Sequence, residues 1–111
     1  MARRRIYGKW DIPKTVKKIV SGVCDDYERR KKLISEPNEN ERTLTRCTEL
    51  NAIVDDALAE IEVGARKVIL RDVAENRGYY RSGLQVILSK NAYYRRKNKL
   101  VHDIASAMAL I

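Results

Sequence analysis

Little in this chain breaks a helix. Its 111 residues include five glycines and two prolines, fewer than the turns of an all-β sandwich or barrel need and far fewer than a collagenous or linker-like chain carries. No apolar run approaches the roughly 18 residues of a membrane span. Arg3, Arg4, Arg5 and Lys9 are followed by no apolar stretch, so no secretory signal is expected. The only cysteines are Cys24 and Cys47, and the only histidine is His102. A Cys/His zinc site needs four ligands at close spacing, so none is expected. Without a secretory signal the two cysteines read as half-buried thiols, and the sequence leaves open whether they touch. There is no Gly-rich phosphate loop, GxGxxG or HExxH. Nothing signals an activated nucleophile, so neither enzyme activity nor a cofactor is expected.

Charge, by contrast, is abundant and unevenly placed. Lys plus Arg number 23 and Asp plus Glu 15, for a net charge of +8. Residues 1–34 hold eleven basic and four acidic groups, residues 35–62 two and eight, and residues 63–111 ten and three. Two basic blocks flank an acidic one. A chain of this size and charge has polyanions as its default partner class.

Periodicity points to an all-α fold. Residues 1–11 read as a basic N-terminal arm. Asp11-Ile12-Pro13 reads as a helix start, with an acidic N-cap and proline in the first turn. Val16, Ile19, Val20, Val23 and Tyr27 then repeat at three and four, predicting a helix over 13–34. The polar run Ser35-Glu36-Pro37-Asn38-Glu39-Asn40 ends it. Leu44, Cys47, Leu50, Ile53/Val54, Ala57/Leu58 and Ile61 predict a second long helix over 40–62. Two such helices with a six-residue connection suggest an antiparallel hairpin, 12–62, for oligomerisation or a partner. Asp55, Asp56, Glu60 and Glu62 read as a solvated or partner-facing acidic face. Gly64 interrupts the pattern, and Ala65–Glu75 reads as a shorter helix ended by Asn76-Arg77-Gly78.

The C-terminal part, 63–111, has the outline of a helix-turn-helix. Arg81–Leu88 reads as a helix of two turns, Leu88 closes the core at the turn, and Ser89 caps a long helix from 90 to about 110. Ala92 is small where that helix crosses its partner, and Tyr93 points inward. Lys90, Asn91, Tyr94, Arg95 and Asn98 share the outer N-terminal face. Arg and Lys suit guanine edges, Asn suits adenine, and Arg and Tyr suit phosphate. Arg96 and Lys99 extend the basic run, and Arg66, Lys67, Arg77 and Arg81 are candidates for flanking phosphates. Tyr79 and Tyr80 read as packing residues rather than base-stacking ones, and His102 as a surface histidine.

Ser89-Lys90-Asn91-Ala92-Tyr93-Tyr94-Arg95-Arg96-Lys97 resembles the I-S-x-S/T-x-Y-R-R-K stretch of small phage transcriptional regulators of the ArpU and RinA type. Their C-terminal helix-turn-helix is similar to region 4 of sigma-70 factors. Leu100-Val101-His102-Asp103-Ile104-Ala105 resembles their A-L-x-x-L-A-like ending, and Val54-Asp55-Asp56-Ala57-Leu58 their L-D-x-A-L segment. The likeness covers about residues 54–108. The chain departs from it at Ile87, where the turn usually has glycine, and at Ala92, where Ser or Thr is usual. The resemblance implies a phage or prophage regulator acting in the bacterial cytoplasm on DNA upstream of late genes and assisting RNA polymerase. It carries over Ser89 as helix cap and Tyr94, Arg95 and Arg96 as DNA-facing groups.

The expectation is therefore two long N-terminal helices followed by a three-helix helix-turn-helix module that binds double-stranded DNA as a homodimer, with no membrane association. Two alternatives stand beside it. One is a small terminase-like DNA-packaging subunit. The other is a helical adaptor whose acidic helix docks on a partner.

Overall fold

The computed structural model describes residues 11–36 and 40–111. The basic arm at Arg3–Arg5 and the Pro37 break therefore lie outside the described residues. Among those described the protein is all-helical: α1 Lys14–Asp25, α2 Tyr27–Ser35, α3 Glu41–Leu58, α4 Val63–Glu75 and α5 Lys90–Ala107, with one 3-10 turn at Tyr79–Arg81 and no strand. No described helix is long and apolar enough to cross a membrane.

The expected helix over 13–34 is two helices, α1 and α2, hinged at Asp26 (φ −92°, ψ 3°). The apolar repeat runs across the joint, so periodicity cannot show it. Polar contacts do. At the joint Arg30 Nη2 donates to the Val23 carbonyl at 2.6 Å, and Asn51 Nδ2 donates to the Tyr27 carbonyl at 3.2 Å. Side chains reaching backbone carbonyls are a recognised cause of helix bending. The break also places Asp26 at the favourable N-terminal end of α2 instead of mid-helix. At the start of α1, Pro13 itself occupies the capping position, so Asp11 is not the N-cap.

The hinge divides the pairing of the long helices. α2 lies antiparallel on α3, with Tyr27 Oη donating to Asp55 Oδ1 at 2.6 Å and Arg30 Nε to Asn51 Oδ1 at 2.6 Å. α1 turns away and packs on α4 and α5. The Ser21 hydroxyl reaches the last turn of α4, at the Val73 carbonyl (2.9 Å) and the Ala74 carbonyl (3.1 Å). α3 starts with Asn40 Oδ1 accepting from the Thr43 amide and ends at Leu58, short of the expected residue 62. α4 begins at Val63, so Gly64 lies inside its first turn rather than interrupting it. Asn76 adopts the left-handed conformation (φ 54°, ψ 46°) that closes α4, as the sequence suggested.

One apolar core joins α1, α4, α5 and the second half of α3. Val20, Val54, Ile69, Tyr93, Leu100 and Ile104 are fully buried in it. Burying a side chain of this size is worth about 1.5–3 kcal/mol, so these six dominate the energetics of the fold.

The expected two-turn helix over Arg81–Leu88 does not form. Tyr79–Arg81 makes a 3-10 turn, and a single turn follows in which the Leu88 amide donates to the Leu84 carbonyl at 2.8 Å. Gly83 between them has φ +78°, outside the helical region. Ser82 reinforces the break: its hydroxyl donates to the Tyr79 carbonyl (2.6 Å) and accepts from the Leu84 amide (3.0 Å), competing with helical bonds. Leu84 and Leu88 are buried, whereas Ile87 is exposed and Val86 is 98% exposed.

Candidate functional site

α5 is fixed at its start and around its axis. Ser89 Oγ accepts from the Ala92 amide at 3.1 Å, the cap expected there. Four residues on, Tyr93 is fully buried and its hydroxyl donates to Asp72 Oδ2 at 2.7 Å. Asp72 is fully buried too, and its Oδ1 accepts from Arg71 Nε (3.1 Å) and Nη2 (3.0 Å). Burial and the neighbouring carboxylate push the Tyr93 phenol well above its ordinary range, so it stays a proton donor. A phenol locked to a buried carboxylate sets the rotation of α5, and with it which residues point out.

The outward line is Asn91 and Arg95, one turn apart and both exposed. Among the described residues Arg95 has no hydrogen-bond or ion-pair partner. Lys90 is exposed beside them, its ammonium 5.3 Å above the ring of the exposed Tyr80. Tyr94 and Asn98 border this face and are half-buried. Asn98 Nδ2 donates to the Tyr94 carbonyl at 2.7 Å, and the Tyr94 hydroxyl accepts from the Tyr79 amide at 3.3 Å. That approach is permitted by Gly78, where a Cβ would stand 3.1 Å from the Tyr94 oxygen. Tyr79 is buried, against Tyr93, with its own hydroxyl on the Leu88 carbonyl at 2.7 Å.

The remaining candidates are engaged within the molecule. Arg96 forks onto Glu62, Nε to Oε1 at 2.8 Å and Nη2 to Oε2 at 2.7 Å. Those bonds, followed by one from the backbone, hold the Glu62 carboxyl down at about 2. Lys99 Nζ donates to Asp103 Oδ2 at 2.6 Å and stands 3.9 Å from Glu60 Oε1. Arg66 donates to the Ile61 carbonyl (2.7 Å) and the Ala59 carbonyl (3.3 Å), capping the end of α3. Arg77 pairs with Glu75 at 3.3 Å. Lys67 and Arg81 are exposed. His102 is half-buried with Nδ1 3.1 Å from Asp103 Oδ1, and Ser106, one turn beyond it, is exposed. The structure thus brings Lys90, Asn91 and Arg95 together on an open face, sets Tyr94 and Asn98 at its edge, and ties Arg96 and Lys99 into ion pairs.

Asp55, Asp56, Glu60 and Glu62 are all exposed, the last two beyond the end of α3, and three of them also have partners within the molecule: Asp55 holds Tyr27, Glu62 holds Arg96 and Glu60 faces Lys99. Among the described residues no group of three His, Cys, Asp or Glu side chains is placed to hold a metal. Cys24 and Cys47 are both buried and free, and burial pushes the Cys24 thiol up to about 12.

Two features escaped sequence reading. Asp72 sits inside the apolar repeat of α4, between Ile69 and Val73, a position where a charge signals a buried partner. Lys14, Lys17 and Lys18 share one face of α1 at spacings of three and four, beside the buried Val16–Val20 face. They border a cleft against α5 that also takes in Lys97 and the edge residues Tyr94 and Asn98. No family model, curated protein or solved structure matches this chain.

Proposed function

We propose that the protein is a sequence-specific, double-stranded DNA-binding transcription regulator that acts by binding, without chemistry. α5 enters the major groove by its first half, Arg95 and Asn91 meet base edges, and Lys90 braces the adjacent strand. Tyr94 and Asn98 lie where the helix leaves the groove. The single observation that carries this reading is the pairing of opposites on α5. An amide, a guanidinium and an ammonium stand open to solvent on one side, while the Tyr93–Asp72 lock fixes the other. A rigid helix presenting those groups is the arrangement that direct readout requires. In this reading the 3-10 turn and the Leu84–Leu88 turn take the place of the middle helix of a helix-turn-helix. The phage or prophage late-gene setting comes from the resemblance of the 89–97 stretch.

Ion pairing narrows the contact set. Arg96 and Lys99 have internal partners, so Arg95 carries the larger share of specific contact. Replacing Arg95 by alanine weakens binding to the specific site by about 1–3 kcal/mol and leaves binding to unrelated DNA nearly unchanged. Gel shifts on fragments from the neighbouring genomic DNA measure both. Equal specific affinity for Arg95→Ala and wild type removes the residue from the site. One recognition helix reads few base pairs, so we assign the α2–α3 arm to a second copy of the chain, giving two half-sites about 34 Å apart. A footprint confined to one half-site counts against that dimer and favours contact of the arm with RNA polymerase.

A further inference from the structure

The cleft between α1 and α5 has a volume of about 580 Å³. Lys14, Lys17 and Lys18 border it from one side, and Lys97, Tyr94 and Asn98 from the other. None of the described residues lining it is acidic. Four ammonium groups around one cleft repel one another. Burial holds the Lys97 ammonium below its ordinary range; the buried Asp72 opposes that shift, and Lys17 adds a smaller push in the same direction as burial. Elsewhere on α5 the protein neutralises its cations with its own carboxylates, Arg96 with Glu62 and Lys99 with Asp103 and Glu60. Here it does not. Such an uncompensated cluster is relieved by an anion from outside.

The lysines are held on a rigid element. α1 is packed on α4 and α5 through Val16, Val20 and Cys24, and Ser21 ties it to the end of α4. Lys97 is oriented by donating to the Arg77 carbonyl, and an ammonium has further protons to give.

We infer that this cleft seats backbone phosphates of the DNA strand bordering the groove that α5 enters, making α1 a second, sequence-independent contact. This rests on the reading of α5 given above. The edge residues Tyr94 and Asn98 belong to both surfaces, so a strand leaving the Asn91–Arg95 face passes over the lysines. Lysines act as point charges that follow a phosphate without fixing its geometry, which suits positioning rather than readout. The volume exceeds that of one phosphate and suits successive ones.

Salt dependence of binding to a mixed-sequence duplex of about two turns, ~20 base pairs, tests this with the full chain. No operator is needed, because phosphate contacts ignore sequence. Lys17→Gln/Lys18→Gln should flatten the slope of log affinity against log salt by about 1–2 between ~50 and ~200 mM salt. It should also weaken specific and non-specific binding by a similar several-fold factor. Lys17→Arg/Lys18→Arg keeps the charge at the same two positions and should leave the slope in place. Equal slopes for the two double variants, or a wild-type slope for Lys17→Gln/Lys18→Gln, overturn the cleft while leaving α5 untouched. Failure of the wild-type protein to bind duplex at ~50 mM salt overturns α5 and the cleft together. Titration with inorganic pyrophosphate, followed by amide shifts around Lys97, separates the source. Saturable binding of pyrophosphate with no effect of Lys17→Gln/Lys18→Gln on duplex binding assigns the cleft to a small anion instead and overturns the inference.

Discussion

In the body made by α1, α4, α5 and the end of α3, the fully buried side chains include Ile69, Tyr93, Leu100 and Ile104. In the arm made by α2 and the first part of α3, up to residue 51, no described side chain is fully buried, and the buried ones are Arg30, Cys47 and Asn51. Apolar burial is proportional to area and tolerates small shifts, so the body gains its stability from many unspecific contacts. Arg30 works differently. It is 3% exposed, and its guanidinium bonds Asn51 Oδ1 and the Val23 carbonyl. Directional bonds of that kind set the angle at the Asp26 hinge. They add little net stability, because taking a guanidinium out of water costs about as much as its partners return. The body is therefore built to hold α5 still, and the arm to hold an angle. That division fits the function proposed above, with DNA on the body and a second chain on the arm.

The most damaging way to break the comparison is to put an arm-like defect into the body. Asp72→Ala removes the short-range acceptor of both Tyr93 and Arg71, leaving the phenol only the Arg77 carbonyl and Arg71 only the Ser82 carbonyl, each at 3.4 Å. Breaking a buried charged network costs about 3–5 kcal/mol, a large part of the roughly 5–15 kcal/mol available to a small domain. Tyr93→Phe leaves one carboxylate oxygen without its donor and costs less, about 1–3 kcal/mol. Urea unfolding followed by far-UV circular dichroism measures both. A midpoint for Asp72→Ala equal to that of wild type means the Tyr93–Asp72 pair does not hold α5.

The corresponding change in the arm is Arg30→Met, which fills the space and removes the fork. Asn51 Oδ1 and the Val23 carbonyl lose their donor, for about 1–3 kcal/mol. The loss should stay local. Amide exchange in α2 and in the first half of α3 should speed up, while α5 amides keep their protection, because the two regions open separately. Acceleration of α5 by the same factor means the arm and the body are one cooperative unit.

The same division separates what was legible in the sequence from what was not. The body was read well: Tyr93, Leu100 and Ile104 follow helical spacing, and Ser89 and Asn76 cap by rules that act within a few residues. The hinge at Asp26 was not: both Arg30 and Tyr27 there are bonded to Asn51, at least 21 residues away, and nothing in the 13–34 repeat announces it. The 81–88 segment misled for a local reason. Its leucines have helical spacing, but Gly83 and the Ser82 hydroxyl override it. At the candidate site, residue type gave Lys90, Asn91 and Arg95. It could not show that Arg96 turns back to Glu62, since that pair is 34 residues apart in sequence.

Each region also holds one cysteine, which sharpens the comparison without any mutation. Cys24 belongs to the apolar core cluster and Cys47 lies outside it. Cys24 is further shielded by a thiol pushed up to about 12 by burial, and the thiolate is the reactive form. Under native conditions a small aromatic disulfide should therefore modify Cys47 first. If arm opening is easier than global unfolding by about 1.4 kcal/mol, the rates differ about tenfold. Peptide mapping of partly labelled protein identifies the site, and equal labelling of both cysteines contradicts a separately opening arm.

The smallest expected effect comes from the ion pair that clips the start of α4 to α5. Glu62 is held at about 2 against an ordinary 4.5, first by its bonds from Arg96. A carboxyl with a depressed folded value binds its proton more readily when unfolded, so stability rises with pH across that interval. The contribution is complete above 4.5 and is lost as pH falls from there through about 2. Glu62 and Arg96 side chains are 46% and 32% exposed. Water and salt screen such a pair, so the effect is about 1 kcal/mol or less. Between about pH 5 and about pH 3, wild type should lose up to that amount more than Glu62→Gln. Asp26, also held low by its Arg29 partner, is present in both proteins and cancels. Roughly 1 M salt should shrink the difference. Read on α5 amides, a pH response identical in the two proteins means the Glu62–Arg96 pair leaves the body's stability untouched.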